Sequence, residues 1–280
     1  MYYVKVDTHG NNVICEHFNG PHAFSVYCAG TQPSKSWLKS GAASKASQSN
    51  WNGEISWSES IKLCMNGWRN GWEDISQDMV TIEDEEKPIR PRITLNPGYS
   101  GSRPSVSRVI AGVPKQMIRA TRPRVNAPAV KLVVSIGALS SVDAEAYKRR
   151  GAAVCAYIDA VETAGISTEI VALSRASAGT RGNAVAEVSV QLKQPGQPLD
   201  VDAVAFCLGH PAMLRRLVFR WREKEMLWKD FHYGYGRSCN PEEEEGALRI
   251  NTMTEDDNHL SAQEWYDNIS EAVAQERLSL

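Results

Sequence analysis

The chain has 280 residues, with 31 Lys and Arg against 33 Asp and Glu and a hydrophobic fraction of 42%. That is the composition of an ordinary globular protein with enough apolar material for one large core or two modest ones. Runs of about 18 apolar residues are missing, which excludes a membrane-spanning helix and makes a membrane partner unexpected.

The opening "MYYVKVDTHGNN" has neither the basic nor the apolar region of a signal peptide. The six cysteines are irregularly spaced, so they read as reduced thiols and the expected compartment is the cytoplasm. The near-neutral net charge hides a segregation. Residues 1–86 hold 6 basic and 11 acidic residues, residues 87–142 hold 10 and none, and residues 240–280 hold 2 and 11.

In chain order, residues 1–86 read as a small α+β region, with "MYYVKV" and "HAFSVYCAG" as strands and a Ser/Ala/Lys-rich loop from Pro33 to Asn50. Ser56 followed by Glu59 predicts a capped helix with Ile61, Cys64, Met65, Trp68 and Trp72 on one face, weakened by Gly67 and Gly71. Residues 87–128 contain seven of the thirteen prolines. They predict an extended, basic connector with one short turn of helix around "PKQMIRA".

Residues 129–239 predict an α/β domain. "VKLVVSI" reads as a strand covered on both faces, followed by a helix started at Ser141 or Asp143 and ended at Gly165. "STEIVALS", "AVAEVSVQLK" and "DAVAFCLG" read as further strands, and residues 212–230 as a helix with Leu214, Leu217, Val218, Trp221 and Trp228 on its apolar side. In the acidic tail, 240–280, Ser261 and Glu264 make a second capping box ahead of a narrow stripe of Trp265, Ile269, Ala272 and Val273. That stripe suits docking on a partner or on the chain's own core.

The strand–turn–helix at 131–163 resembles a von Willebrand factor A-like fold, which implies a doubly wound sheet. In that fold the turn carries Asp-x-Ser-x-Ser and holds a divalent cation. Here Ser135, Gly137 and Leu139 stand at the three positions, and a hard cation finds no carboxylate, so no metal and no cofactor is expected at this turn. Through "NGWRNGW", "AGVPKQM", "RRGAAVCAYIDAVETAG" and "GHPAMLRRL" the chain also resembles uncharacterised phage and mobile-element proteins with such a degenerate domain. It further resembles a single-stranded-DNA-binding RNA polymerase cofactor of lytic phages.

Several residues could carry chemistry, and each also has an ordinary structural role. Cys15, His17, His22 and Cys28 are potential zinc ligands, but their spacing fits no common zinc pattern. The reading preferred is buried thiols and surface histidines in two strands. Phosphate-loop, nucleophile-elbow and HExxH patterns do not occur. His210 could serve as a base but reads as structural, and the run Glu242–Glu245 reads as solvated, so an enzyme is not expected.

The basic block is more specific. Arg90, Arg92, Arg103, Arg108, Lys115, Arg119, Arg122, Arg124 and Lys131 occur without an intervening acid, around Tyr99. Phosphates could take the charges and bases stack on the aromatic. Arg215, Arg216 and Arg220 on the 212–230 helix, with Tyr233 and Tyr235 after it, form a second candidate surface. Trp265, Ile269 and Val273 are the candidate partner-binding stripe.

The expected function is a non-catalytic, homo-oligomeric phage accessory that binds single-stranded nucleic acid, DNA foremost, in transcription or replication. Its tail would contact an RNA polymerase or another replication or transcription protein. The alternative is a metal-free interaction or self-assembly module without nucleic acid.

Overall fold

In the computed structural model, residues 2–7, 10–30, 50–80, 94–121, 130–163, 166–177, 184–223, 235 and 237–278 are described. The elements are β1 (Tyr2–Val6), β2 (Asn12–Phe18), α1 (Pro21–Gly30), α2 (Trp57–Asn66), α3 (Arg69–Val80), β3 (Thr94–Gly98), β4 (Arg103–Pro104), α4 (Val106–Ile110), β5 (Met117–Thr121) and β6 (Val130–Ser135). They continue as α5 (Ala144–Thr163), β7 (Thr168–Ser177), β8 (Ala184–Lys193), α6 (Val201–Gly209), a π-helix (Met213–Val218), α7 (Phe219–Arg222), β9 (Arg237–Cys239), β10 (Ala247–Ile250) and α8 (Ala262–Leu278). Single 3-10 turns lie at Asn50–Asn52 and Asp256–His259.

The fold is mixed α/β. A seven-stranded sheet runs in the order β1-β2-β8-β7-β6-β10, with β9 paired to the end of β7. The pairs β2/β8, β6/β7 and β6/β10 are parallel, and β1/β2, β7/β8 and β7/β9 antiparallel. Because β2 pairs with β8 along all of its length, the boundary expected at residue 86 does not divide the sheet.

Alternate strand residues point to opposite faces. One face sends Leu132, Val134, Ile170, Ala172, Val188 and Val190 into a single core shared with the buried sides of α1, α2, α3, α5, α6, the π-helix and α8. On the other face Val13, Cys15 and Val185 form a small cluster of their own. The helices that share this core thus gather on one face of the sheet, where a doubly wound sheet would carry helices on both.

Several elements follow their local sequence. Ser56 Oγ accepts from the Glu59 N–H at the start of α2. Ser261 and Glu264 cap α8 reciprocally, Glu264 N donating to Ser261 Oγ and Ser261 N to Glu264 Oε2. The helix expected to run on past Gly67 breaks there into α2 and α3, because Gly67 takes φ 84° and a Cβ would stand 2.5 Å from Asp202 Cβ. Farther along, Gly151 of α5 meets Gly209 of α6 so closely that an added Cβ would lie 2.9 Å from the Gly209 Cα.

Other expectations are corrected. "HAFSVYCAG" is the helix α1, which starts at Pro21, a residue suited to the first helical position because it lacks an N–H that would go unpaired. "DAVAFCLG" is the helix α6, capped by Asp200, whose side chain accepts from Ala203 N at 3.1 Å. Every residue from Ala203 to Gly209 is buried, and a helix covered all round leaves no period to read.

The connector also folds. Residues 94–121 make a three-stranded antiparallel ribbon, β3-β5-β4, and "MIRA" lies in the strand β5 rather than in a turn of helix. Pro97 and Pro104 sit on the two outer strands, where a missing N–H is tolerated, while β5 between them has no proline.

Candidate nucleic-acid interface

Residues 94–121 contain Arg103, Arg108, Lys115 and Arg119 and no Asp or Glu. None of residues 97–119 is buried. Ile118 of β5 stands opposite Pro97 on one side and Arg103 on the other, and Arg119 opposite Asn96. After α4 the chain turns back: Arg108 Nε donates to the Lys115 carbonyl at 3.2 Å, and Lys115 takes φ 63°.

This turn brings the Lys115 ammonium to 5.9 Å from the centre of the Tyr99 ring, whose residue is 79% exposed. The ribbon therefore carries an open aromatic ring with Lys115 beside it and three further cations with no carboxylate among them, Arg103 and Arg119 standing on opposite faces of the ribbon. Val106 and Ile110 on α4 are also open, at 69% and 81% exposed. Arg90, Arg92, Arg122, Arg124 and Tyr233 lie outside the described residues.

The second predicted surface is corrected. Arg215, Arg216 and Arg220 are at most 2% exposed. The Arg215 guanidinium donates to the carbonyls of Trp51 (2.7 Å), Val142 (2.6 Å) and Leu139 (3.3 Å). It also lies 4.6 Å from the Trp51 ring centre and 5.2 Å from that of Tyr147. Arg220 pairs with Glu223 at 3.2 Å. Arg222, next on the same stretch, donates to Ser174 Oγ and the Tyr235 carbonyl.

Amphipathic spacing points these arginines at solvent, but the 50–52 turn and the 139–142 turn cover Arg215, whose charge is met by their carbonyls, while Arg220 is met by the Glu223 carboxylate. Tyr235 is half-buried, its ring stacked 3.9 Å from that of Phe219 and its hydroxyl donating to Glu223 at 2.6 Å. One ring face is thus occupied. On α8, Trp265 and Ile269 turn inward to the chain's own core. Val273 lies in α8, with its side chain outside the described residues.

The turn after β6 is filled. Ser135 Oγ accepts from Gly137 N at 3.2 Å and lies 2.9 Å from Thr252 Oγ1. Arg150 donates to the Ser135 carbonyl at 2.8 Å, as Arg215 does to those of Leu139 and Val142. Guanidinium groups thus satisfy the turn's carbonyl oxygens. Burial pulls the Arg150 and Arg222 pKa values down to about 10, so both remain charged at neutral pH.

The four potential zinc ligands have separate settings, with His22 exposed in the first turn of α1. Cys15 Sγ lies 3.5 Å from Glu187 Oε1 on the helix-free face, His17 Nδ1 lies 2.9 Å from Ser189 Oγ, and Cys28 is buried in α1 against the Leu217 carbonyl. Among the described residues no group of three metal-ligating side chains gathers. His210 is buried edge-on to Trp68, with ring centres 4.6 Å apart, and Nδ1 accepts from Ala212 N at 3.1 Å. Burial, with Lys148 adding to it, drives its pKa down to about 3, so the ring is neutral.

A polar network on the helix-free face was not anticipated. Arg175 pairs with Asp7 (2.7 Å) and Glu242 (2.8 Å), and Lys5 pairs with Glu187 (3.0 Å) and Glu242 (3.2 Å). Glu243 pairs with Arg249 and Glu244 with Lys131. Glu242, Glu243 and Glu244 thus reach cations on β1, β6, β7 and β10, while Glu243, Glu244 and Glu245 stay exposed, as a solvated run would be. Sequence separations of up to 237 positions, from Lys5 to Glu242, put such pairing beyond any local pattern. The internal charges Arg175 and Glu187 within apolar strands were the one available signal.

No curated protein and no solved structure matches the chain. The family described as Domain of unknown function (DUF7192) matches residues 5–276, nearly the whole of it, and the chain belongs to that family.

Proposed function

We propose that this protein is a non-catalytic binding protein whose 94–121 ribbon takes single-stranded nucleic acid, DNA foremost. The observation carrying this reading is the ribbon itself: Arg103, Arg108, Lys115 and Arg119 without a carboxylate in the segment, beside the open ring of Tyr99. Phosphates take the cations and a base stacks on the ring. Arg90, Arg92, Arg122 and Arg124, which flank the ribbon in sequence, extend the same footprint. The resemblance to phage proteins supports an accessory role in transcription or replication in a host cytoplasm. It also supports a homo-oligomer and contact with an RNA polymerase or similar protein. The resemblance to a von Willebrand A-like, metal-free domain supports a binding scaffold rather than an enzyme.

Fluorescence anisotropy of labelled single-stranded and duplex oligonucleotides at 50 and 200 mM salt tests this. Four phosphate contacts give a slope of about −2.8 in log affinity against log salt, hence about 50-fold weaker single-strand binding at the higher salt. Reversing Arg103 and Arg119 to Glu flattens the slope by about 0.7 per lost contact, and Tyr99→Ala weakens binding at both salts. No binding at either salt, or a slope indifferent to these variants, rejects the reading.

The open apolar side chains of Val106 and Ile110 favour a second reading, a protein-docking or self-assembly ribbon without nucleic acid. Salt-insensitive oligomers with no oligonucleotide affinity would establish it.

A further inference from the structure

The last strand of the large sheet has a neighbour on one side only. β10 pairs with β6, and among the described residues no strand lies on its outer edge. Beside it a cavity of about 160 Å³ opens between the sheet and α8. Leu132, Leu248 and Ile250 line it from the strands, and Trp265, Ile269 and Ala272 from the helix. Ala272 is exposed at its margin. A space of this size, lined by such side chains, accommodates a benzene-sized group.

Arg249, Asn251 and Asn268 complete the lining, and one polar group within it is unmet. Trp265 is 8% exposed, its indole N–H is buried, and it has no acceptor within hydrogen-bonding reach. Buried indole N–H groups ordinarily find a partner, and an unmet one is destabilising. The α8 side of the cavity is acidic: residues 262–272 hold Glu264, Asp267 and Glu271 and no Lys or Arg, and Arg249, which lines the cavity, is paired with Glu243. Glu264, Asp267 and Glu271 are exposed on α8.

We infer that this edge is a docking site for an extended, basic segment of a partner protein. One branched aliphatic or phenyl side chain fills the cavity, and a backbone carbonyl beside it accepts from Trp265 Nε1. The segment lies along the free edge of β10, as strand-adding peptides do, and its flanking Lys or Arg residues face the carboxylates. The site lies on other elements than the ribbon and does not depend on what the ribbon binds.

The test is selection of a displayed library of random twelve-residue peptides on the immobilised full-length protein, with counter-selection on Ala272→Trp. That substitution fills the cavity from an exposed position, and a thermal melt matching wild type shows the fold intact. The expected result is enrichment of sequences that share one branched or aromatic anchor between Lys or Arg residues. A synthetic consensus peptide should bind at least tenfold more weakly to Ala272→Trp, and at least tenfold more weakly after anchor-to-Asp replacement. Trp265→Phe, which keeps a ring but removes the N–H, should weaken it several-fold, while Arg103→Glu on the ribbon leaves it unchanged.

Selection that enriches the same peptides on wild type and Ala272→Trp overturns the proposal, as does a selection that enriches none. If light scattering shows a wild-type dimer that Ala272→Trp converts to monomer, the occupant is a second copy and the proposal falls equally.

Discussion

Replacing Arg215 with alanine separates a structural arginine from a ligand-binding one. The guanidinium holds two short bonds, 2.7 Å to the Trp51 carbonyl and 2.6 Å to that of Val142. A third, to Leu139, is longer at 3.3 Å. Bonds from a charged donor contribute about 1.5 kcal/mol each at the low end, and the third is neglected. The Trp51 and Tyr147 rings beside it add about 0.5 kcal/mol each. The expected loss is together about 4 kcal/mol. With a urea dependence of about 3 kcal/mol per molar for a chain of this size, the unfolding midpoint falls by about 1.3 M.

Far-UV circular dichroism in a urea series reads that shift, and oligonucleotide anisotropy on the folded fraction reads affinity. The structural assignment requires a large midpoint shift with an unchanged salt slope. A variant as stable as wild type, with single-strand affinity reduced and the slope flattened, would return Arg215 to the binding surface and refute the reasoning.

Three further outcomes are expected. His210 is held neutral with its pKa lowered to about 3 from its ordinary 6.5, so the stability it contributes is full above pH 6.5 and is lost as pH falls from 6.5 toward 3. Between pH 7 and pH 5 this amounts to about 2 kcal/mol, and urea titrations of His210→Gln should lack that part of the decline.

Burial works to raise the Glu242 pKa, but Arg175 and Lys5 outweigh it and hold it below its ordinary 4.5. Its contribution is present above that ordinary value and disappears as pH falls through the lowered one. Glu242→Gln should therefore lower stability at pH 7 and shrink the gap from wild type below pH 4, as read by thermal melts. Gly151→Ala forces a Cβ to within 2.9 Å of the Gly209 Cα and should destabilise by about 2 kcal/mol, with no change in ribbon affinity.

What the sequence showed depended on whether the decisive contact was local. Both capping boxes, at Ser56 and Ser261, were legible because a cap is completed within three residues. The strand β6 and helix α5 were legible from their apolar pattern. α6 was mistaken for a strand because burial on every side erases periodicity. α1 was mistaken because Phe24, Val26 and Tyr27 favour strands, while the packing that makes it a helix comes from elements far along the chain.

The proline content of residues 87–128 points to an extended connector, but the two prolines that fall in described strands, Pro97 and Pro104, sit on outer ones. Of the candidate site, Tyr99, Arg103, Lys115 and Arg119 stand exposed and Arg108 is half-buried. Arg215, Arg216 and Arg220 do not, since helical spacing shows which residues share a side but not whether another segment covers it.

The strand order also bears on how the chain is made. β2 ends at Phe18, and the strand it lies against along its whole length, β8, ends at Lys193. At ribosomal rates of about 5–20 residues per second, the β1–β2 hairpin waits about 9–35 seconds for that neighbour to be synthesised. Over that interval the side of β2 that β8 will cover is open to other nascent chains and to chaperones. Synthesis, rather than the finished molecule, is when this protein is most exposed to mispairing, and slower translation over residues 19–184 should raise the aggregated fraction.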